Sequence, residues 1–221
     1  MIRAAGKRGG PVFVGIGGGS ASGKSTLAAG LKRALTPLRV QVINQDHFYK
    51  RTRLPRYYSR HDRCWRADFN NRNSYRWRKL YDFCRRARGM DALVLEGLMA
   101  LHDPRIRKIM DLKLYVDCPA MERLRRRLAR GVPGWTRARH RIYWNEVVLP
   151  GHIRHVAPTR RHADLVIPNG RGVSARRRRV LARIRGWINS RARKKGRIRR
   201  KDGIIKAGLR PPPGPQTEDR R

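Results

Sequence analysis

Acidic residues are scarce in this chain of 221 residues, where 15 Asp and Glu face 55 Lys and Arg for a formal net charge of +40. So positive a field attracts polyanions at low salt, whether nucleic acid, anionic membrane or nucleotide phosphate, and does not choose among them. Cysteine is scarce too. Cys64, Cys84 and Cys118 are odd in number and far apart, which excludes a disulfide scaffold and a CxxC zinc or redox site and fits a reducing cytoplasm. Long apolar runs are missing: the best stretch, Ala92 to Leu101, is short and broken by Glu96, so no membrane insertion is expected. The N-terminus, MIRAAGKRGGPVFVGIGGG, shows no apolar run followed by a small-residue cleavage site, so no signal peptide is expected and the location is read as cytoplasmic. The histidines form no HxxxH or Cys/His spacing, so zinc is not expected. No N-K-x-D guanine-reading motif occurs, which argues against a GTPase.

What remains is a chain with 39% apolar residues, enough for a core. Apolar strands alternate with helical patterns. Val12 to Gly17 reads as a buried strand, followed by a helix from about Lys24 to Leu35. Further strands are read at Val40 to Asn44, Leu93 to Leu95, Leu112 to Val116 and Leu165 to Ile167. Helices are expected near Trp77–Arg88, Ala120–Arg130 (Met121, Leu124 and Leu128 inward) and Ile142–Ile153. Strands separated by helices specify an α/β fold, a parallel sheet with helices on both faces and ligands at the strand carboxyl ends. Val180, Leu181, Ile184, Trp187 and Ile188 fall at helical spacing after Gly172. The expected organisation is an N-terminal extension (1–10), one domain (11–190) and a basic, disordered tail (191–221). Residues 171–221 hold 19 of the basic residues and 3 of the acids, so this end offers a surface for nonspecific polyanion binding.

The strongest chemical signal is Gly18-Gly19-Ser20-Ala21-Ser22-Gly23-Lys24-Ser25, with Thr26 next, which satisfies G-x4-G-K-[ST] between a strand and a helix. Triphosphate oxygens need several backbone N–H donors at close approach, which a glycine-rich turn permits, and the helix start adds its positive end. Lys24 then reaches the β/γ-phosphates and the Ser25 hydroxyl binds Mg²⁺, so ATP and Mg²⁺ are the expected ligands. Asp46 lies two residues beyond the second strand, facing that loop, where its carboxylate can take a proton from an acceptor hydroxyl. Glu96 closes the strand ALVLE beside the loop, the place for a second Mg²⁺ oxygen. Arg123, Arg125, Arg126, Arg127 and Arg130 line one helix, and Gly131-Val132-Pro133-Gly134-Trp135-Thr136-Arg137 follows. Arginines beside a Gly/Pro-rich segment suit a mobile lid that neutralises developing charge, with Arg127, Arg130 and Arg137 ranked first.

VGIGGGSASGKSTLA, INQDHFYK, LVLEGLMALHDPRIRKIMDLKLYVDCPAMERLRRRLAR and APTRRHADLVIPNG together resemble successive blocks of the uridine kinase branch of the phosphoribulokinase/uridine kinase family, over about residues 12–170. The resemblance implies a three-layer P-loop NTPase fold and ATP-dependent phosphorylation of a small-molecule hydroxyl, in this branch the 5′-OH of uridine or cytidine. It implies Asp46 as general base, Ser25 and Glu96 as Mg²⁺ residues, Tyr49 at the acceptor pocket, Arg127, Arg130 and Arg137 as lid arginines, and a homo-oligomer.

The acceptor segment departs from the branch. Where relatives carry an acidic stretch reading like NFDHPDAFDW, this chain has Asp68-Phe69-Asn70-Asn71-Arg72-Asn73-Ser74-Tyr75-Arg76-Trp77. Phe69 keeps its place at the acceptor, while the aspartate that would accept from ribose hydroxyls falls on Asn70. An amide lacks the charge that strengthens such a bond by roughly 1 kcal/mol or more. The base-reading insertion is absent, and Trp135-Thr136-Arg137 replaces an RGR triplet. A nucleoside acceptor is therefore the first expectation. The alternatives are the same chemistry on a phosphopentose, nicotinamide riboside, pantothenate or a nucleic-acid 5′-OH, and a nucleic-acid-binding protein with a vestigial nucleotide site.

Overall fold

The computed structural model describes residues 10–170, 172 and 174–201, so all but the last residue of the expected extension (1–10) and the end of the expected tail (202–221) lie outside the described residues. In chain order the elements begin β1 (Val12–Gly18), α1 (Lys24–Ala34), β2 (Val40–Asn44), β3 (Arg56–Ser59), β4 (Cys64–Ala67), α2 (Trp77–Arg86) and β5 (Ala92–Glu96). They continue α3 (Pro104–Ile109), β6 (Leu112–Asp117), α4 (Ala120–Arg130), α5 (Arg137–Tyr143), α6 (Leu149–Gly151), β7 (Leu165–Pro168) and α7 (Ser174–Lys201). Five strands form one parallel sheet in the order β2-β5-β1-β6-β7, while β3 and β4 pair antiparallel as a separate hairpin. The strand-helix alternation of the sequence is thus the α/β architecture observed.

Parallel strands covered on both faces read as continuous apolar runs, and β1 and β5 are buried along their whole length while the edge strands β2 and β7 are partly so. Val12, Val14 and Ile16 of β1 pack with Leu27 and Leu31 of α1 and with Ile184 and Ile188 of α7. Phe13, Leu93 and Leu95 look the other way, onto Leu80 and Cys84 of α2 and Ile106 of α3. Gly15 and Gly17 leave β1 bare on that side, and the side chains of Met110 and Leu101 occupy the space. The order places the carboxyl ends of β2, β5 and β1 side by side, with Asn44 opposite Glu96 and Glu96 opposite Ile16.

Four expectations are corrected. The second helix, α2, runs from Trp77 only to Arg86, because Gly89, at φ +77°, turns the chain into β5. The helix expected at Ile142–Ile153 is part of a longer helical run that starts with α5 at Arg137 and passes through wide turns (Trp144–Val148 and His152–Val156) to a tight one ending at His162. On α4 the inward face is not Met121, which is 75% exposed; Arg123 is the buried side chain. Finally, residues 191–201 are helical, and the boundary expected at 190 falls inside α7. Ala192 continues its buried stripe and Arg191 pairs with the buried Asp111 at 3.4 Å.

Candidate active site

The loop between β1 and α1 is a local consequence of its glycines. Gly18 (φ +143°) and Gly23 (φ +96°) take backbone conformations that side chains rarely adopt, and Ala21 (φ +59°) shares the turn between them. The loop is also packed from outside. A Cβ on Gly18 would lie 2.5 Å from the Val116 carbonyl, and one on Gly23 would strike the Asn169 amide. Asn169 in turn donates from Nδ2 to the Ser22 carbonyl at 2.6 Å, and Arg126 donates to the Asn169 carbonyl at 2.9 Å. Gly19, Ser20 and Ser22 complete the turn, and Thr26 is exposed on the first turn of α1.

Lys24 opens α1 with its side chain folded into the loop. Its Nζ donates to the Gly19 carbonyl at 2.8 Å. Burial lowers its pKa, while the carboxylates of Glu96 and Asp46 pull it back up. Glu96 shows the mirror image: burial raises its pKa, Lys24 lowers it, and Asp46 adds to the rise. Ser25 Oγ donates to Glu96 Oε1 at 3.1 Å. Lys24, Ser25, Glu96 and Asp46 are therefore within electrostatic reach of one another at three neighbouring strand ends. A hydroxyl and a carboxylate oxygen held this close form a hard, oxygen-only donor pair suited to Mg²⁺.

Asp46 sits in a short tight helix, Gln45–Phe48, capped when its own N–H donates to Asn44 Oδ1 at 2.8 Å. Gln45 is buried and accepts from the Met99 N–H at 2.9 Å, tying the end of β2 to the end of β5. Gly97 leaves the room this side chain needs. Beyond Asp46 stands an aromatic wall. Tyr49 stacks on Tyr75 with centroids 4.5 Å apart and meets the edge of Phe69 at 4.9 Å. The Tyr49 hydroxyl donates to the Phe69 carbonyl (3.0 Å) and accepts from Tyr75 (2.8 Å). Burial, then Tyr75 and Asp46, hold the Tyr49 phenol well above its ordinary pKa, so it stays neutral.

Asn70 is buried at the edge of this wall, with Nδ2 donating to the Tyr143 hydroxyl at 3.1 Å. Tyr143 joins four parts of the molecule. Arg127 lies 5.2 Å over its ring, Tyr57 of the hairpin and Trp135 flank it at 5.8 and 5.3 Å, and Asn70 holds its oxygen. Arg127 also donates to Ser20 Oγ at 3.5 Å, so it reaches the phosphate loop. Arg130 is exposed at the end of α4, near enough to Lys24 to lower its pKa. Arg137 is exposed, with no hydrogen bond or ion pair among the described residues; Arg139 is the anchored arginine of α5, 3.2 Å from Asp62 of the hairpin turn and 4.6 Å over Trp135.

Sequence reasoning named Arg123 without singling it out from its run of arginines, and missed Tyr143, Asn169 and the Asp62–Arg139 pair. Each works across more than seventy residues of chain or from within a run of arginines, and no local pattern marks it.

The model of the "Phosphoribulokinase / Uridine kinase family" matches residues 68–175. A uridine kinase of Brevibacillus brevis is 34% identical over 186 residues, covering 73% of this chain and 86% of that protein. A uridine kinase of Oceanobacillus iheyensis is 31% identical, covering 72% of this chain and 87% of that protein. Among solved structures, phosphoribulokinase from Rhodobacter spheroides superposes with a TM-score of 0.54 at 14% identity, covering 73% of this chain and 71% of that one, a likeness of fold.

Proposed function

The chain belongs to the phosphoribulokinase/uridine kinase family, a small-molecule kinase by that membership, and we propose that it transfers the γ-phosphoryl group of ATP to the 5′-hydroxyl of uridine or cytidine. The observation that carries the reading is the meeting of Lys24, Ser25, Glu96 and Asp46 at adjacent strand ends. The loop N–H groups and the start of α1 bind the phosphate chain. Lys24 exchanges the Gly19 carbonyl for phosphate oxygens. Ser25 and Glu96 would hold Mg²⁺, which would supply charge neutralisation for the phosphate chain.

Asp46 accepts the proton of the acceptor hydroxyl as that oxygen forms its bond to phosphorus and the bond to ADP breaks. Tyr49, Phe69 and Asn70 bound the acceptor, and Arg127 and Arg130 offset negative charge on the moving group. The exposed Arg137 has no part in this account. The test offers ATP with uridine, cytidine, ribulose 5-phosphate, nicotinamide riboside, pantothenate and a 5′-hydroxyl oligonucleotide. Phosphorylation of the pyrimidine nucleosides supports the reading; transfer to a different member alone overturns the acceptor and keeps the chemistry. The second reading, another hydroxyl acceptor, is favoured by one feature: the amide of Asn70 is neutral and already bonded to Tyr143.

Polyanion binding is the remaining part of the proposal. Arg178, Arg179, Arg183, Arg185, Arg193 and Lys194 are exposed on α7, and residues 174–201 contain no acid. Binding of labelled RNA that weakens steeply with salt, and weakens less steeply after four of these residues become Ser, is the expected result. An unchanged salt slope would assign the effect to the rest of the basic surface.

A further inference from the structure

Of the arginines on α4, one faces the interior. Arg123 is 2% exposed, and it lies directly under the phosphate-binding turn. A Cβ placed on Gly19 would sit 2.5 Å from Arg123 Nη1 and 2.8 Å from its Cζ. Nε donates to the Cys118 carbonyl at 3.1 Å, and the guanidinium is 5.1 Å from the centre of the Trp144 ring. Nη1 is buried with no hydrogen-bond partner, and no carboxylate pairs with the guanidinium among the described residues. Gly19 is thereby held between two cations, with Lys24 on its carbonyl and Arg123 against its α-carbon.

A buried charge is tolerated when it is paired, and this one is not. One hydrogen bond and one aromatic face do not replace the water it has lost. The environment gives the same account from the opposite side. Burial lowers the pKa of Arg123, and Tyr115, Cys118 and Asp117 only partly offset it, none of them within ion-pair distance. His152, with an unpartnered buried Nδ1, is pushed to about 4 by burial, Arg123 and Lys24, so it adds no third cation at neutral pH. The one anion that would compensate both Lys24 and Arg123 is the phosphate chain bound in the turn between them.

We propose that Arg123 is a positioning residue for nucleotide binding, a cation stored unpaired beneath Gly19 whose charge the bound phosphates neutralise. The inference rests on the nucleotide reading of the loop given above. It departs from a packing role in one respect: removing the charge relieves the empty protein and penalises the loaded one.

The experiment compares the full chain with Arg123→Met, which keeps volume without charge, and Arg123→Lys, which keeps charge without the planar fork. Each is titrated with ADP, with and without Mg²⁺, and melted in the absence of nucleotide. Arg123→Met is expected to hold or raise the empty-state Tm while weakening ADP about tenfold, and Arg123→Lys to bind within about threefold of wild type. In turnover, KM for ATP rises in Arg123→Met and KM for the acceptor stays. Wild-type ADP affinity in Arg123→Met overturns the proposal. So does a lower empty-state Tm with weak binding that Arg123→Lys fails to restore, because shape and not charge is then at stake. A wild-type chain that binds no ADP overturns the nucleotide reading itself, and this inference with it.

Discussion

Replacing Asn70 with Asp tests where the acceptor lies. Asn70 is 7% exposed, and its side chain donates to the Tyr143 hydroxyl at 3.1 Å, a geometry an aspartate keeps by accepting from the same hydroxyl. The substitution therefore changes charge with little change of shape. If acceptor hydroxyls bind at this position, a charge-assisted bond replaces a neutral one, a gain of about 1.4 kcal/mol, or roughly tenfold in acceptor KM. The same burial opposes the charge. With no cation bonded to position 70, the fold loses about 1–3 kcal/mol, or roughly 3–9 °C in Tm for a domain of this size. Steady-state ADP release at saturating ATP, with uridine varied, reads the first effect, and thermal melting reads the second. The expected result is a lower uridine KM, an unchanged ATP KM and a lower Tm together. A lower Tm with an unchanged or raised uridine KM would refute the reasoning, since position 70 would then touch no acceptor hydroxyl.

Asp46→Asn is expected to lower kcat by about 10²–10⁴ while ADP affinity is retained; turnover within threefold of wild type would remove Asp46 as the base. Lys24→Ala should weaken ADP binding and turnover together, and a loss confined to one of them would contradict its assignment to the phosphates. Gly23→Ala forces a side chain into a positive-φ position and against Asn169, and should cost about 1–2 kcal/mol, roughly 3–6 °C in Tm; an unchanged Tm would count against the strained turn. His152 has its pKa held down at about 4, so below pH 6.5 the unfolded chain takes a proton that the folded chain refuses. Stability then falls by about 3 kcal/mol, reduced to about 2 kcal/mol by the solvent that reaches this partly exposed ring, as pH drops from about 6.5 through 4, and denaturant melts of His152→Gln should show a flatter profile over that window.

The parts legible in the sequence are those whose physics is local. A buried parallel strand must be apolar along its length, so the five strands of the sheet stand out against so many arginines. The phosphate loop is legible because its glycines are required by conformation and close approach within eight residues. The hairpin was not, since RYYS and CWRA are short and contain arginine, and the ion pair from its turn to α5 joins residues far apart along the chain. Arg123 was hidden for a different reason. In ERLRRRLAR a buried guanidinium and a solvated one are the same letter, and only the placement of α4 under Gly19 separates them. The end of α7 was hidden by composition, because its apolar stripe thins to Ala192 while its basic face continues.

The strand order has a consequence for how such a molecule can change. Lys24, Asp46 and Glu96 hang from three hydrogen-bonded neighbours, so their spacing is fixed by the sheet before any ligand arrives. Asn70 and Tyr143 hang from a loop and a helix that are not strands of that sheet, joined to each other by a side-chain hydrogen bond. With the acceptor placed as proposed, one substitution there would alter which alcohol is welcome while the transfer groups keep their distances. A lineage can thus exchange its substrate without rebuilding its reaction.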